Sequence, residues 1–141
     1  MAKIYKTTDR IKVKIDEVTV SISPLTYEQK LEAKILVAEG RAKRDARMLT
    51  SGLIYLLKNS VKEVEGLENA DGSKYELSFE ADQKTLTQEC ISDLFNIKLH
   101  EKLVMVCTNL IGVIPTEFVD DSGKPIEGVS IIPTENTKSP N

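Results

Sequence analysis

The sequence predicts an α+β protein: an N-terminal β ribbon, a long central helix, a second β ribbon and a C-terminal helical pair. Three observations carry that expectation. Residues 11–22 alternate apolar and polar with period two. A capping sequence at Thr26 opens an apolar series spaced by threes and fours as far as Leu56. A shorter series of the same helical kind runs from Thr85 towards Ile114.

In the first ribbon, Ile11, Val13 and Ile15 alternate with Lys12 and Lys14, and Val18, Val20 and Ile22 with Thr19 and Ser21. Each set describes a half-buried strand. Asp16-Glu17 stands between them at the spacing of a two-residue hairpin, without the usual glycine. Lys3–Thr8 reads as a further short extended segment. Pro24 ends the ribbon.

Thr26 with Gln29 forms a capping box, and Glu28 places negative charge in the first helical turn. The stripe that follows is Leu31, Ile35, Ala38, Ala42, Ala46, Leu49, Leu53 and Leu56. Continuous to Lys58, such a helix spans roughly 48 Å. Gly40 and Gly52 are candidate bends, each costing about 1 kcal/mol against alanine. The alanines in mid-stripe allow close approach of another helix. Met48–Leu57 is apolar on nearly every face and requires cover from the later helices or from a second subunit.

Val61–Leu67 and Lys74–Phe79 flank the turn-forming run Asn69–Ser73 and predict the second ribbon. Thr85 and Gln88 suggest another capping box, opening a helix to Leu94 or Phe95. The last helix is expected from Ile97 or Lys98 to about Ile111, with Leu99, Leu103, Val106, Leu110 and Ile114 on one side and Gly112 and Pro115 as its stop. These elements form one α+β domain over residues 1–115. Residues 116–141 read as an extended, partly flexible segment with an edge strand near Ile126–Ile132.

Chemistry is thinly represented. At 141 residues the chain suffices for a core without metal or disulfide help. Cys90 and Cys107 lie within apolar helical patterns, at no zinc or redox spacing. The single histidine, His100, has no nucleophile near it in sequence, and no glycine cluster forms a phosphate cradle. No catalytic residue, metal or cofactor is expected. The start, MAKIYKTTDR, lacks the apolar core of a secretion signal, and the longest apolar tract is too short for a membrane span.

Charge is polarised. Residues 1–47 carry eleven Lys/Arg against seven Asp/Glu, and residues 48–141 eight against fifteen. Arg41, Arg44 and Arg47 recur every third residue and suggest a docking strip for an acidic protein surface. The overall charge of −3 disfavours nucleic acid, though a regulator using the Arg41–Arg47 patch is an alternative. Leu49, Leu53 and Leu56 are the apolar candidates for partner contact, with core packing as their plainer role. The alanine seam and the apolar run after it predict a homo-oligomer.

The segment VTVSISPLTYEQKLEAKI, residues 18–35, with its Pro24-Leu25-Thr26 step from a strand pair into a charged helix, resembles the entry region of tail assembly chaperones of long-tailed bacteriophages. The likeness is carried mainly by residues 18–37. It implies a non-enzymatic assembly factor that binds the tape measure protein and tail-tube subunits in the host cytoplasm. Many such chaperones are mostly helical. The β content here keeps open a small virion component, such as a tail completion or head–tail connector protein.

Overall fold

The computed structural model describes residues 5–109, 118–120 and 122–132. It is a mixed α+β fold in which a four-stranded antiparallel sheet carries four helices. The first two strands are β1 (Ile11–Ile15) and β2 (Val18–Ile22), paired with Val13 opposite Val20 and Ile15 opposite Val18. Period-two alternation therefore puts Ile11, Val13, Ile15, Val18, Val20 and Ile22 all in the core. Asp16 takes the positive φ (56°) that the tight turn demands. Its backbone N–H donates to the Gly128 carbonyl at 2.7 Å.

The central helix is two helices. α1 (Tyr27–Ala42) and α2 (Ala46–Ser60) fold back on each other as an antiparallel hairpin. The reversal falls at neither glycine. Arg44 adopts φ 53°, and Asp45 caps α2 by accepting from the Met48 backbone N–H at 3.1 Å. A capping aspartate competes with helix continuation because its carboxylate satisfies a free N–H at a new start. The expected Thr26–Gln29 capping box is present in both directions, at 3.1 and 3.0 Å.

The two glycines instead mark where the helices touch. A Cβ built on Gly40 would lie 2.5 Å from the Leu49 backbone nitrogen, and one on Gly52 would lie 2.9 Å from Leu36 Cβ and Val37 Cγ2. Glycine is thus required here for close approach of two backbones. α1 packs chiefly on α2, and α2 in turn reaches the core through Leu56 and Leu57.

α2 runs directly into β3 (Val61–Glu65), which pairs with β2. The expected second ribbon is therefore corrected: its first strand joins the main sheet, and Lys74–Phe79 makes only isolated bridges, Glu68 to Lys74 and Phe79 to Leu86. Val61 and Val64 give β3 an apolar face that is buried far better against β2 than in a two-stranded ribbon. Tyr75 anchors the intervening loop, its hydroxyl donating to Asp93 Oδ2 at 2.8 Å. The residues described before β1 are no strand either. They form a turn in which the Lys6 N–H donates to the Asp9 carboxylate at 2.6 Å.

α3 (Gln88–Asn96) begins at Thr87 rather than at Thr85. Thr87 Oγ1 accepts from the Cys90 N–H at 3.2 Å and shares a hydrogen bond with Ser78 Oγ at 2.6 Å. Thr85 is engaged elsewhere, donating to Asp82 at 2.7 Å. Replacing Thr87 by Ala should cost about 1 kcal/mol, read as a lower urea midpoint with unchanged slope. The same change at Thr85 should leave α3 intact.

α4 (Leu99–Asn109) buries Leu99, Leu103, Val106 and Cys107. Leu110, Gly112, Ile114 and Pro115 lie outside the described residues. β4 (Val129–Ile132) pairs antiparallel with β1 and gives the order β3-β2-β1-β4. Phe118 and Ile126 are buried with the rest of the core. Residues 118–120 and 122–132 are thus part of the same fold, and 133–141 lie outside the described residues.

Burial pushes the Cys107 thiol from 9.0 to about 12, against a hydrogen bond with Ser60 that pulls it down. The folded value exceeds the unfolded one, so this group's contribution is complete below pH 9 and is lost as pH rises towards 12. Urea midpoints should fall between pH 9 and 10.5, and fall less in Cys107→Ala. An identical decline in both proteins would assign the loss to other groups.

Candidate interaction surface

The residues singled out in the sequence fall into two places. Arg41, Arg44 and Arg47 all lie exposed at the tip of the helical hairpin, together with Lys43. They do not line one face of a continuous helix, because Arg44 occupies the reversal and Arg47 already belongs to the first turn of α2. Asp45, between them, is engaged as a cap.

Leu49 and Leu53 are half-buried, and Leu56 is only 4% exposed. The apolar run Met48–Leu57 is thus covered largely by the chain's own α1 and core. Leu56 offers no surface to a partner.

The exposed apolar surface lies on the opposite helix. Tyr27, Leu31 and Ile35 are 77%, 43% and 43% exposed. They repeat every four residues, and Ala38 and Ala42, also exposed, continue the same face. The inner face of α1 is a second apolar seam, of Ala33, Leu36, Val37 and Gly40, turned towards α2. α1 is therefore apolar on two opposite sides, and the stripe read as its packing face points to solvent. Isolated exposed leucines are ordinary, but a row of large side chains along one helix is the kind of patch that marks an interaction site.

Two open clefts of about 450 Å³ each lie elsewhere on the described surface. One includes Arg10, Gln29, Asn59, Lys62, Asp82 and Lys84. Two of its cations and Asp82 already serve the fold. Arg10 donates to Ser23 Oγ at 2.8 Å and Lys62 Nζ to the Lys84 carbonyl at 2.7 Å. Partial burial, then the neighbouring Arg10 charge, lowers the Lys62 pKa. The Asp82 carboxyl is held down to about 2, first by the Lys84 N–H and then by the Thr85 hydroxyl and N–H. The other cleft lies between the β1–β2 turn and α4, with the Lys102–Asp16 pair at 3.1 Å and the exposed Ile97 on its wall.

His100 stacks on Phe95 at 3.9 Å between ring centres. Among the described residues no group of three His, Cys, Asp or Glu side chains could hold a metal ion. No helix among them is long and apolar enough to cross a membrane. No family model matches the chain, and neither a curated protein nor a solved structure is significantly similar to it.

Proposed function

We propose that this protein is a non-enzymatic assembly factor of a long-tailed bacteriophage, a tail assembly chaperone that holds apolar helical segments of the tape measure protein and passes them to tail-tube subunits. One observation supports the reading above others: the exposed row Tyr27, Leu31 and Ile35 on α1. It lies inside residues 18–37, the stretch that carries the resemblance to such chaperones. A helix presenting large apolar side chains at i, i+4 and i+8 suits an amphipathic partner helix laid along it. The exposed cations at the hairpin tip add a docking point for carboxylates on the same partner. In one cleft Arg10 and Lys62, and in the other the Lys102–Asp16 pair, are already engaged within the chain, and the helix face is the better candidate for the working surface.

Co-expression with a tape measure protein tests this directly. The wild-type chain should raise the client's soluble fraction several-fold, and Leu31→Asp with Ile35→Asp should abolish that rise while the circular dichroism spectrum stays unchanged. A client equally soluble with either version, or with neither, removes the reading. Stoichiometric presence of the chain in purified virions would favour a structural tail or connector component instead.

A further inference from the structure

Beyond its apolar stripe, α1 carries charge in a regular order. At about 100° per residue, Lys30, Lys34 and Arg41 fall in a row on one side of the Tyr27–Leu31–Ile35–Ala38–Ala42 stripe. Glu28, Glu32 and Glu39 fall in a matching row on the other side. The rows are near mirror images, each about 60–100° from the stripe's centre by the same helical geometry.

This order does not serve the isolated helix. Within α1 no opposite charges stand three or four residues apart. The pairs that do are alike, Glu28 with Glu32 and Lys30 with Lys34, an arrangement that weakens a solvated helix by a few tenths of a kcal/mol per pair. Lys102–Asp16 is the one ion pair among the described residues, and it involves neither row. None of the six charges has an ion-pair partner among the described residues.

We infer that the stripe is a self-pairing face, on which a second copy of this chain docks with its α1 parallel to the first about a two-fold axis along the helices. Symmetry decides the orientation. When two identical helices meet face to face in parallel, the row to the left of one stripe meets the opposite row of its partner. Lys30, Lys34 and Arg41 then each lie within two residues, about 3 Å along the axis, of a facing glutamate. In an antiparallel pair, like rows would meet on both flanks, which is unfavourable. The contact is isologous and closes at two copies. Ala38 and Ala42 let the helices approach at one end, while Tyr27, Leu31 and Ile35 fill the other.

The area available is modest. A seam along a 16-residue helix covers less than the ~800 Å² per partner of a standard interface, so the dimer is held at micromolar concentration and loosened by salt. It is the resting state of the free protein. The inference goes beyond the assembly reading and does not require it: a client-binding protein that is monomeric alone would overturn only the dimer.

Four variants test it, each checked by circular dichroism. Sedimentation of the wild-type chain at tens of micromolar should show a dimer. Reversing one row, Lys30→Glu with Lys34→Glu and Arg41→Glu, should weaken it at least tenfold. Reversing the second row as well, Glu28→Lys with Glu32→Lys and Glu39→Lys, should restore it. Orientation is read from Ala42→Cys under mild oxidation: parallel helices place the two thiols together and form a disulfide-linked dimer. A wild-type monomer at 100 µM, row reversals without effect, or failure of Ala42→Cys to cross-link where Ile35→Cys does so, overturns the proposal.

Discussion

Gly40→Val is expected to be strongly damaging to the helical hairpin, lowering stability by about 3 kcal/mol and the melting temperature by roughly 10 °C. Two effects compete. Valine in place of a helical glycine gains a fraction of the roughly 1 kcal/mol of helix propensity that separates glycine from alanine. Against that, the new Cβ would stand 2.5 Å from the Leu49 backbone nitrogen and 2.7 Å from its Cα. Backbone in a helix cannot yield as a side-chain tip can, so the steric term wins and the hairpin must part. Gly40→Ala is expected to fall in the same direction by a smaller amount. At Gly52 the contacts are longer, 2.9 Å to Leu36 Cβ and Val37 Cγ2 and 3.0 Å to the Val37 backbone nitrogen, so Ala should also destabilise there, by less than at Gly40. A thermal melt of the three variants checks the order. An unchanged melting point for Gly40→Val would mean that the helices do not meet at this glycine.

Leu103→Ala in α4 is expected to cost 2–5 kcal/mol, or about that for any fully buried leucine cut back to its Cβ. Leu103 is fully buried with Leu94, Leu57 and Val106 in one cluster with the inner face of the sheet. A cavity there cannot be filled by collapse of one loop. It is bounded by secondary structure, and native packing is already dense. Urea unfolding with an unchanged slope provides the number. Leu31→Ala on the exposed stripe makes the contrast, with an expected change below about 0.5 kcal/mol for the monomer. Equal losses at Leu31 and Leu103 would contradict the division of these helices into inner and outer faces.

What could be read from the chain depended on how many solutions each pattern allowed. The hairpin of β1 and β2 had one, because period-two alternation on both sides of Asp16-Glu17 leaves a single register that buries every apolar residue. Thr26 was equally legible, since the capping box is a local device whose partners lie three residues apart. β3 was not. Val61–Glu65 has no sequence signal that distinguishes pairing with β2 from pairing with residues 74–79, and the choice rests on distant packing.

The central helix failed for a more instructive reason. α1 has two apolar seams, and the sequence series that extended furthest was the outer one. The inner seam is shorter and held by glycine, so it scored as a weakness where it was a contact. Asp45 was the missed signal. An aspartate with a helical pattern starting directly after it reads as a cap as readily as a counter-charge, and it also explains why Arg41, Arg44 and Arg47 share a tip rather than a face.

Val61 is both the residue that ends α2, its N–H donating to the Leu57 carbonyl, and the first residue of β3. The preceding Ser60 accepts from the Ser23 N–H at 2.9 Å, at the point where β2 hands over to α1. α2 is thus continuous with β3, while α1 is joined to β2 through the four residues Ser23 to Thr26, of which Ser23 is held to Ser60. A load on the tip at Arg44 is therefore expected to reach the β2–β3 ladder first along α2. Amide exchange at Val20 and Ser21 should respond when something grips the far end.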